Sequence, residues 1–259
     1  MHAREDASSE VTPERVSGNP LIVVRAVANS IFFGVWTAFM VTFAVTTGVL
    51  LRDPEFFKRM QRYWARGLTG FWGVELVVYG AEHMADSGAG CVVMANHASY
   101  ADIVALFIAL PNIPGFMAKR ELLKVPFLAA ALRAGGHVIV DRGQHDQAKK
   151  AIQSAAQQVR DGRTVLIFPE GTRGDSERLL DFKSGGFRLA RTAGVPIYPV
   201  GLRGTAKIGP KHSLLFWPGK IEVHIGEPMS PSEIQALDPA SVIQRVRGRI
   251  TTLSGMTAR

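Results

Sequence analysis

The sequence predicts a single α/β domain with a central, largely parallel or mixed sheet flanked by helices, preceded by N-terminal membrane-associated helices. Three observations carry this reading. Beyond Gly73, short apolar runs alternate with stretches of helical period, the pattern of a layered α/β fold. Ahead of that point, Ala26 to Leu51 contains no charged residue. The polar clusters, finally, fall just after predicted strands, where an open α/β sheet gathers its ligands. With 259 residues, 47% hydrophobic and 20% charged, the chain has ample material for a packed core. The expected division is a flexible tail over residues 1–20, anchoring helices over 21–72 and the α/β domain over 73–259.

Taken in order, residues 1–20 are polar, mixed in charge and broken by Pro13 and Gly18-Asn19-Pro20, the composition of a mobile tail. The uncharged run after Arg25 is long enough, at about 1.5 Å per residue, to cross a hydrocarbon layer or lie deep in one leaflet. It is too long for a signal peptide and lacks a cleavage site. Asn29, Thr37, Thr42, Thr46 and Thr47 make it only moderately apolar, so a core helix of a soluble protein stays open. Arg52-Asp53-Pro54 stops the helix. From Glu55, Phe57, Met60, Trp64, Leu68 and Phe71 recur at helical spacing, while Lys58, Arg62 and Arg66 fall on another face. That combination suits a bilayer interface, although an ordinary packed helix with a solvated basic face has the same pattern. The basic excess after the apolar run predicts that the α/β domain faces the cytoplasm.

Predicted strands cover Val74–Tyr79, Cys91–Ala95, His137–Val140, Thr164–Phe168, Ile197–Val200 and Ile221–Ile225. The clearest helix runs from Asp146 to Arg160, with Ala148, Ile152, Ala155 and Val159 on one stripe and Gly162 closing it. A further helix is expected to start at Lys119-Arg120, after Gly115-Phe116-Met117-Ala118. The lone cysteine, Cys91, excludes an intramolecular disulfide and sits mid-strand, where packing is its expected role. A net charge of +8 and a pI near 9.9 call for an anionic partner: nucleic acid, an acidic bilayer or a phosphorylated substrate.

Two clusters carry chemistry. In Asn96-His97-Ala98-Ser99-Tyr100-Ala101-Asp102 an imidazole and a carboxylate stand five residues apart, a spacing that a continuous helix would splay. A turn between the strand Cys91–Ala95 and a helix beginning near Asp102 folds His97 back onto the carboxylate, making a base that works at neutral pH. Ser99 and Asp102 also have capping-box spacing, so helix initiation alone accounts for them equally well. The second cluster, Phe168-Pro169-Glu170-Gly171-Thr172-Arg173, leaves a strand through a rigid proline and a permissive glycine. There Arg173 offers a planar fork to phosphate, and Glu170 is expected to orient Arg173 or bind a hydroxyl; a plain Glu170–Arg173 surface pair is the alternative. Lys119, Arg142 and Lys183, the last before Gly185 at a helix start, add cations nearby. The histidines show no metal-ligand spacing, and no metal is expected. No Gly-x-Ser-x-Gly elbow occurs.

The ordered blocks now on the page resemble the glycerolipid (lysophospholipid) acyltransferase family. Asn96-His97 with Asp102, Gly136 to Arg142, Phe168 to Arg173, Val195-Pro196 to Val200, Ala118 to Leu122 and Phe182-Lys183 with Gly185 match its blocks in order. The second departs, carrying Ile139-Val140 where the family has Phe-Ile. The resemblance covers about residues 70–230 and implies transfer of a fatty acyl group from acyl-CoA or acyl-carrier protein to the free hydroxyl of lysophosphatidic acid, giving phosphatidic acid. It implies that His97 takes the hydroxyl proton with Asp102 orienting it. Arg173, with Glu170, Gly171 and Thr172, would hold the acceptor phosphate, helped by Arg142 and Lys119. Asn96, Phe168, Pro169, Lys183, Gly185, Val195 and Pro196 complete the matched positions. No cofactor is implied beyond the acyl carrier as co-substrate, and the expected partner is anionic lipid, not nucleic acid. Another acceptor, such as glycerol 3-phosphate or a lyso-ornithine lipid, a lipid ester or thioester hydrolase, and a non-catalytic basic membrane-binding module are the competing readings.

Overall fold

A computed structural model describes residues 20–51, 54–84, 90–119, 123–124, 129, 137–140, 145–174 and 176–258. Helix α1 covers Pro20–Leu51 and α2 covers Pro54–Trp72. The α/β portion follows in the order β1 Val74–Tyr79, β2 Cys91–Ala95, α3 Ala101–Ala109, β3 Gly115–Lys119, β4 Val138–Val140, α4 His145–Arg160, β5 Thr164–Ile167 and β6 Arg178–Leu179. After these come α5 Gly185–Ala193, β7 Ile197–Arg203, α6 Thr205–Ile208, β8 Gly219–Ile225, α7 Pro231–Ala236, α8 Pro239–Ser254 and β9 Thr257–Ala258.

Among the described residues the main sheet has seven strands in the order β1-β8-β7-β2-β5-β3-β4. It is mixed: β7 and β8 pair antiparallel, and the other neighbours are parallel. The C-terminal ends of β7, β2, β5, β3 and β4 therefore share one edge. Side chains of β2 alternate between two cores. Cys91, Val93 and Ala95 face one with α2 and α3, and Val92 and Met94 face the other with α4, α5 and α8. Burial on both faces is why this strand reads as an unbroken apolar run. Cys91 packs there with its Sγ 3.6 Å from Thr164 Oγ1, and burial pushes its thiol above the ordinary range.

The sequence misreads one element. Gly115–Lys119, expected to lead into a helix at Lys119, is strand β3, paired with β5 and β4. A short apolar run carries no period that separates strand from helix, and here pairing on both sides within the sheet decides. The two-residue strands β6 and β9 fall below any sequence signal.

Helices α1 and α2 form a hairpin against the first core. Leu21, Val24, Val27, Ile31, Val35, Phe39 and Phe43 line one stripe of α1 and are 43–77% exposed. This is no core helix: only 11% of its apolar window is buried, and the helix has the length and composition to cross a membrane. Its opposite face anchors the hairpin. Trp36 Nε1 donates to the Trp64 carbonyl, and Trp72 stacks on Phe216, ring centroids 4.3 Å apart with planes 7° off parallel. Asn29 Nδ2 donates to the Phe216 carbonyl (2.8 Å), and Phe33 packs on the same ring. The basic face expected on α2 is divided. Arg66 is exposed, but Arg62 turns inward and donates to the carbonyls of Phe107, Leu110 and Pro111. These groups lie at the end of α3, where carbonyls lack helical partners and a cation is favoured. The tail before Pro20 lies outside the described residues.

His137 bridges the start of β4 to β3. Its Nδ1 accepts the Phe116 N–H (2.8 Å), its ring stacks on Phe116, and burial lowers its pKa to about 4. The unfolded chain binds this proton more tightly than the folded one. Stability is therefore complete above the ordinary histidine pKa of about 6.5 and is lost as pH falls from there to about 4, by about 3 kcal/mol. Unfolding curves between pH 7 and 4 are expected to show this slope in the wild type and a reduced slope in His137→Gln.

Candidate active site

The site stands on the C-terminal ends of β2 and β5, neighbours in the sheet. Beyond Ala95 the ladder continues through a side chain. Asn96 Oδ1 accepts the Leu202 N–H (2.7 Å), and Asn96 Nδ2 donates to the Leu202 carbonyl (3.0 Å). Asn96 imitates a strand residue toward β7, which leaves its backbone free to turn.

His97 begins that turn. Its Nδ1 lies 2.7 Å from Asp102 Oδ2, the same oxygen that accepts the N–H groups of Ala98 (2.8 Å) and Ser99 (2.9 Å). Asp102 is fully buried. An oxygen already accepting two amides is placed as an acceptor, so Nδ1–H donates to it and Nε2 presents its lone pair. Nε2 has no hydrogen-bond partner among the described residues, and the His97 side chain keeps 16% exposure. Both roles read from the heptapeptide coexist in this geometry. Asp102 binds the Ser99 N–H as the returning half of a capping box, while holding the imidazole. Ser99 Oγ accepts from the Ala101 N–H and donates to the Gly209 carbonyl (2.7 Å). Gly209 has no room for a side chain, since a Cβ there would come within 2.9 Å of both Ser99 Oγ and the Phe216 ring.

The loop after β5 is stitched to this turn. The Phe168 carbonyl accepts the Gly171 N–H (3.0 Å), closing a tight turn in which Gly171 takes φ +72°, a conformation that favours glycine. Phe168 lies on the His97 imidazole, centroids 4.0 Å apart and planes 14° off parallel. Glu170 is only 2% exposed. Its Oε1 accepts the His97 N–H (2.8 Å) and its Oε2 the Leu180 N–H (2.9 Å), while the Gly174 N–H donates to the His97 carbonyl (2.7 Å). From sequence, Glu170 is expected to orient Arg173 or bind a hydroxyl, with a surface pair to Arg173 as the alternative; its oxygens instead go to backbone, because two amides leaving regular structure need acceptors. Desolvation pushes the Glu170 carboxyl above the ordinary range, and the Leu180 and His97 amides pull it back.

Arg173 instead lays its guanidinium over the Tyr100 ring, with Cζ 4.1 Å from the centroid. The Lys183 N–H donates to the Pro169 carbonyl (2.8 Å), and a Cβ on Gly171 would come within 3.0 Å of Lys183 Nζ. Thr172 is exposed on the loop, and Gly185 is the first residue of α5. Val195 and Pro196 belong elsewhere: they enter β7 at the opposite edge of the sheet, where the Pro196 carbonyl accepts the Val92 N–H. Lys119 ends β3 on the site's edge; its side chain, and all of Arg142, lie outside the described residues. No three metal-ligating side chains converge among the described residues.

Residues 75–203 match the model of the family described as Acyltransferase. A chloroplastic 1-acyl-sn-glycerol-3-phosphate acyltransferase of Brassica napus is 30% identical over 245 residues, spanning 90% of this chain and 70% of that protein. The Homo sapiens 1-acyl-sn-glycerol-3-phosphate acyltransferase alpha is 30% identical over 225 residues, spanning 86% of this chain and 78% of its own. The chain belongs to this acyltransferase family. The crystal structure of the 1-acyl-sn-glycerophosphate (LPA) acyltransferase PlsC from Thermotoga maritima shares its fold. The TM-score is 0.76 at 26% identity, over 89% of this chain and 95% of that one.

In this acyltransferase the two blocks read from the sequence lie together, joined directly by His97, Phe168 and Glu170, and the residues that brace them from outside were not singled out. Tyr100 and the Leu180 amide meet the second block from either side, and the Gly209 carbonyl meets Ser99. Only Tyr100 carried a signal in advance, as an aromatic between two polar motif positions. Glu170→Ala would leave two buried amides unpaired and is expected to lower unfolding free energy by about 2–4 kcal/mol. Glu170→Gln, which keeps one strong acceptor, should cost less; denaturant titration of both variants checks the order.

Proposed function

We propose that this acyltransferase moves a fatty acyl group from the thioester of acyl-CoA or acyl-carrier protein to the free hydroxyl of lysophosphatidic acid, producing phosphatidic acid at the cytoplasmic surface of a membrane. The observation that carries the reading is His97, held through Nδ1 by Asp102 with Nε2 open beside the Arg173 loop. Nε2 takes the acceptor hydroxyl proton as the oxygen attacks the thioester carbonyl. The tetrahedral intermediate collapses with cleavage of the C–S bond, and the imidazolium returns its proton to the departing thiolate. Asp102 stabilises the transient imidazolium, and a base so placed typically contributes about 10²–10⁴-fold. Attack is direct, with no acyl-enzyme.

Arg173, with Lys183 beside Gly171, gives the acceptor phosphate a planar fork and a point charge. Glu170 serves the site by fixing the loop rather than by touching substrate. The exposed stripe of α1 anchors the enzyme in the bilayer from which the lipid acceptor arrives, and the positive charge of the chain favours an anionic leaflet. That the relatives are 1-acyl-sn-glycerol-3-phosphate acyltransferases supports this acceptor, and the cation pair favours a phosphorylated one.

Purified enzyme in detergent or lipid, offered a panel of acceptors while thiol release and lipid product are followed together, tests this function. Thiol release matched by phosphatidic acid is expected; thiol and free fatty acid without acylated lipid would make the protein a hydrolase. His97→Ala is expected to abolish transfer and leave membrane association intact. Arg173→Ala is expected to raise KM for the phosphorylated acceptor far more than KM for the acyl donor.

A further inference from the structure

We propose that Tyr100 is a positioning residue for the acceptor: its ring is the shelf that holds Arg173 as a phosphate fork at a fixed place beside His97. The inference rests on the reading above that Arg173 binds the acceptor phosphate.

Tyr100 is 45% exposed, so core packing does not account for an aromatic residue there. It does not cap α3 through its side chain, and its hydroxyl makes no hydrogen bond among the described residues. What the side chain does is lie under the Arg173 guanidinium at 4.1 Å. A cation held over a ring is attracted by the negative face of the π system. This restraint has a property that a carboxylate partner lacks. Bound by its face, the guanidinium keeps its in-plane N–H donors free for a second ligand, whereas a carboxylate would occupy two of them. Glu170, three residues before it on the loop, is committed to the backbone amides of His97 and Leu180. Among the described residues Arg173 is therefore restrained without being neutralised.

The position of the shelf matters as much as its chemistry. Tyr100 lies three residues after His97 and two before Asp102, at the N-cap of α3, with backbone angles of φ −66° and ψ −25°. The shelf and the base thus belong to one rigid turn, while the arginine comes from the loop after β5. Contact between them sets the distance from phosphate site to imidazole, and with it which hydroxyl of a phosphorylated acceptor meets Nε2. A fork of this kind favours a phosphate monoester, which carries more charge and more free oxygens than the phosphodiester of a zwitterionic lyso-lipid.

The test is steady-state kinetics of the full chain in mixed micelles, using lysophosphatidic acid, lysophosphatidylcholine and acyl-CoA, with wild type, Y100F, Y100L, R173A and Y100L/R173A. Y100F keeps the ring face and is expected within about twofold of wild type. Y100L is expected to raise the lysophosphatidic acid KM about 3- to 30-fold, the range corresponding to loss of a cation–π contact, with donor KM and kcat little changed. It should also narrow the preference for lysophosphatidic acid over lysophosphatidylcholine. In the R173A background, Y100L should add nothing, because the ring acts through the arginine. If R173A raises the acceptor KM and Y100L does not, or if Y100L lowers kcat equally in both backgrounds, the shelf is overturned while the phosphate role of Arg173 stands. If R173A leaves the acceptor KM unchanged, that role falls and the shelf falls with it.

Discussion

One carboxylate oxygen, Asp102 Oδ2, binds three donors: the His97 imidazole and the amides of Ala98 and Ser99. Most of the site depends on that convergence. A carboxylate buried without partners would cost several kcal/mol in lost hydration, and charge-assisted bonds of about 1.5–3 kcal/mol each offset it only when several are made together. The turn is thus as fixed as its least replaceable acceptor. Glu170 repeats the arrangement one strand away, spending its oxygens on amides rather than on cations. Two buried acids hold the backbone so that a histidine and an arginine can remain available.

The sheet explains why these acids meet. Because β2 and β5 are adjacent and parallel, the turns that leave them emerge side by side, and groups 73 residues apart in the chain come to 2.8 Å. Both faces of the sheet are covered, by α2 and α3 on one side and by α4, α5 and α8 on the other. Crossover connections dispose of the chain on those faces and leave the C-terminal edge for chemistry. Val195 and Pro196, matched in sequence as firmly as the His97–Asp102 turn, serve the opposite edge, where they seat β7 beside β2.

Legibility in the sequence followed locality. Strands β1 and β2 and helix α4 carry their own period or apolar run, and their bounds are close to those read directly. The His97–Asp102 geometry was legible because the two residues lie in one turn. β3 was not, since five residues have no periodicity and only their neighbours in the sheet made them a strand. Arg62 read as part of a basic stripe because sequence cannot display the bare carbonyls at the end of α3 that draw it inward. Glu170 failed for the same reason: its partners are backbone amides, which every residue has and no pattern reveals. Side-chain chemistry can be read from a sequence, whereas demand from the backbone appears only after folding.

The ring of Phe216 is wedged between two parts of the molecule that bear separate names. On one side it meets Trp72 and Phe33, while the backbone carbonyl of the same residue accepts from Asn29 Nδ2; on the other it closes on Gly209, whose carbonyl holds Ser99. The hairpin is consequently a wall of the α/β portion as well as an apolar surface. Trimming the chain ahead of Val74 would unroof an aromatic stack that reaches, through Gly209, the turn that holds His97.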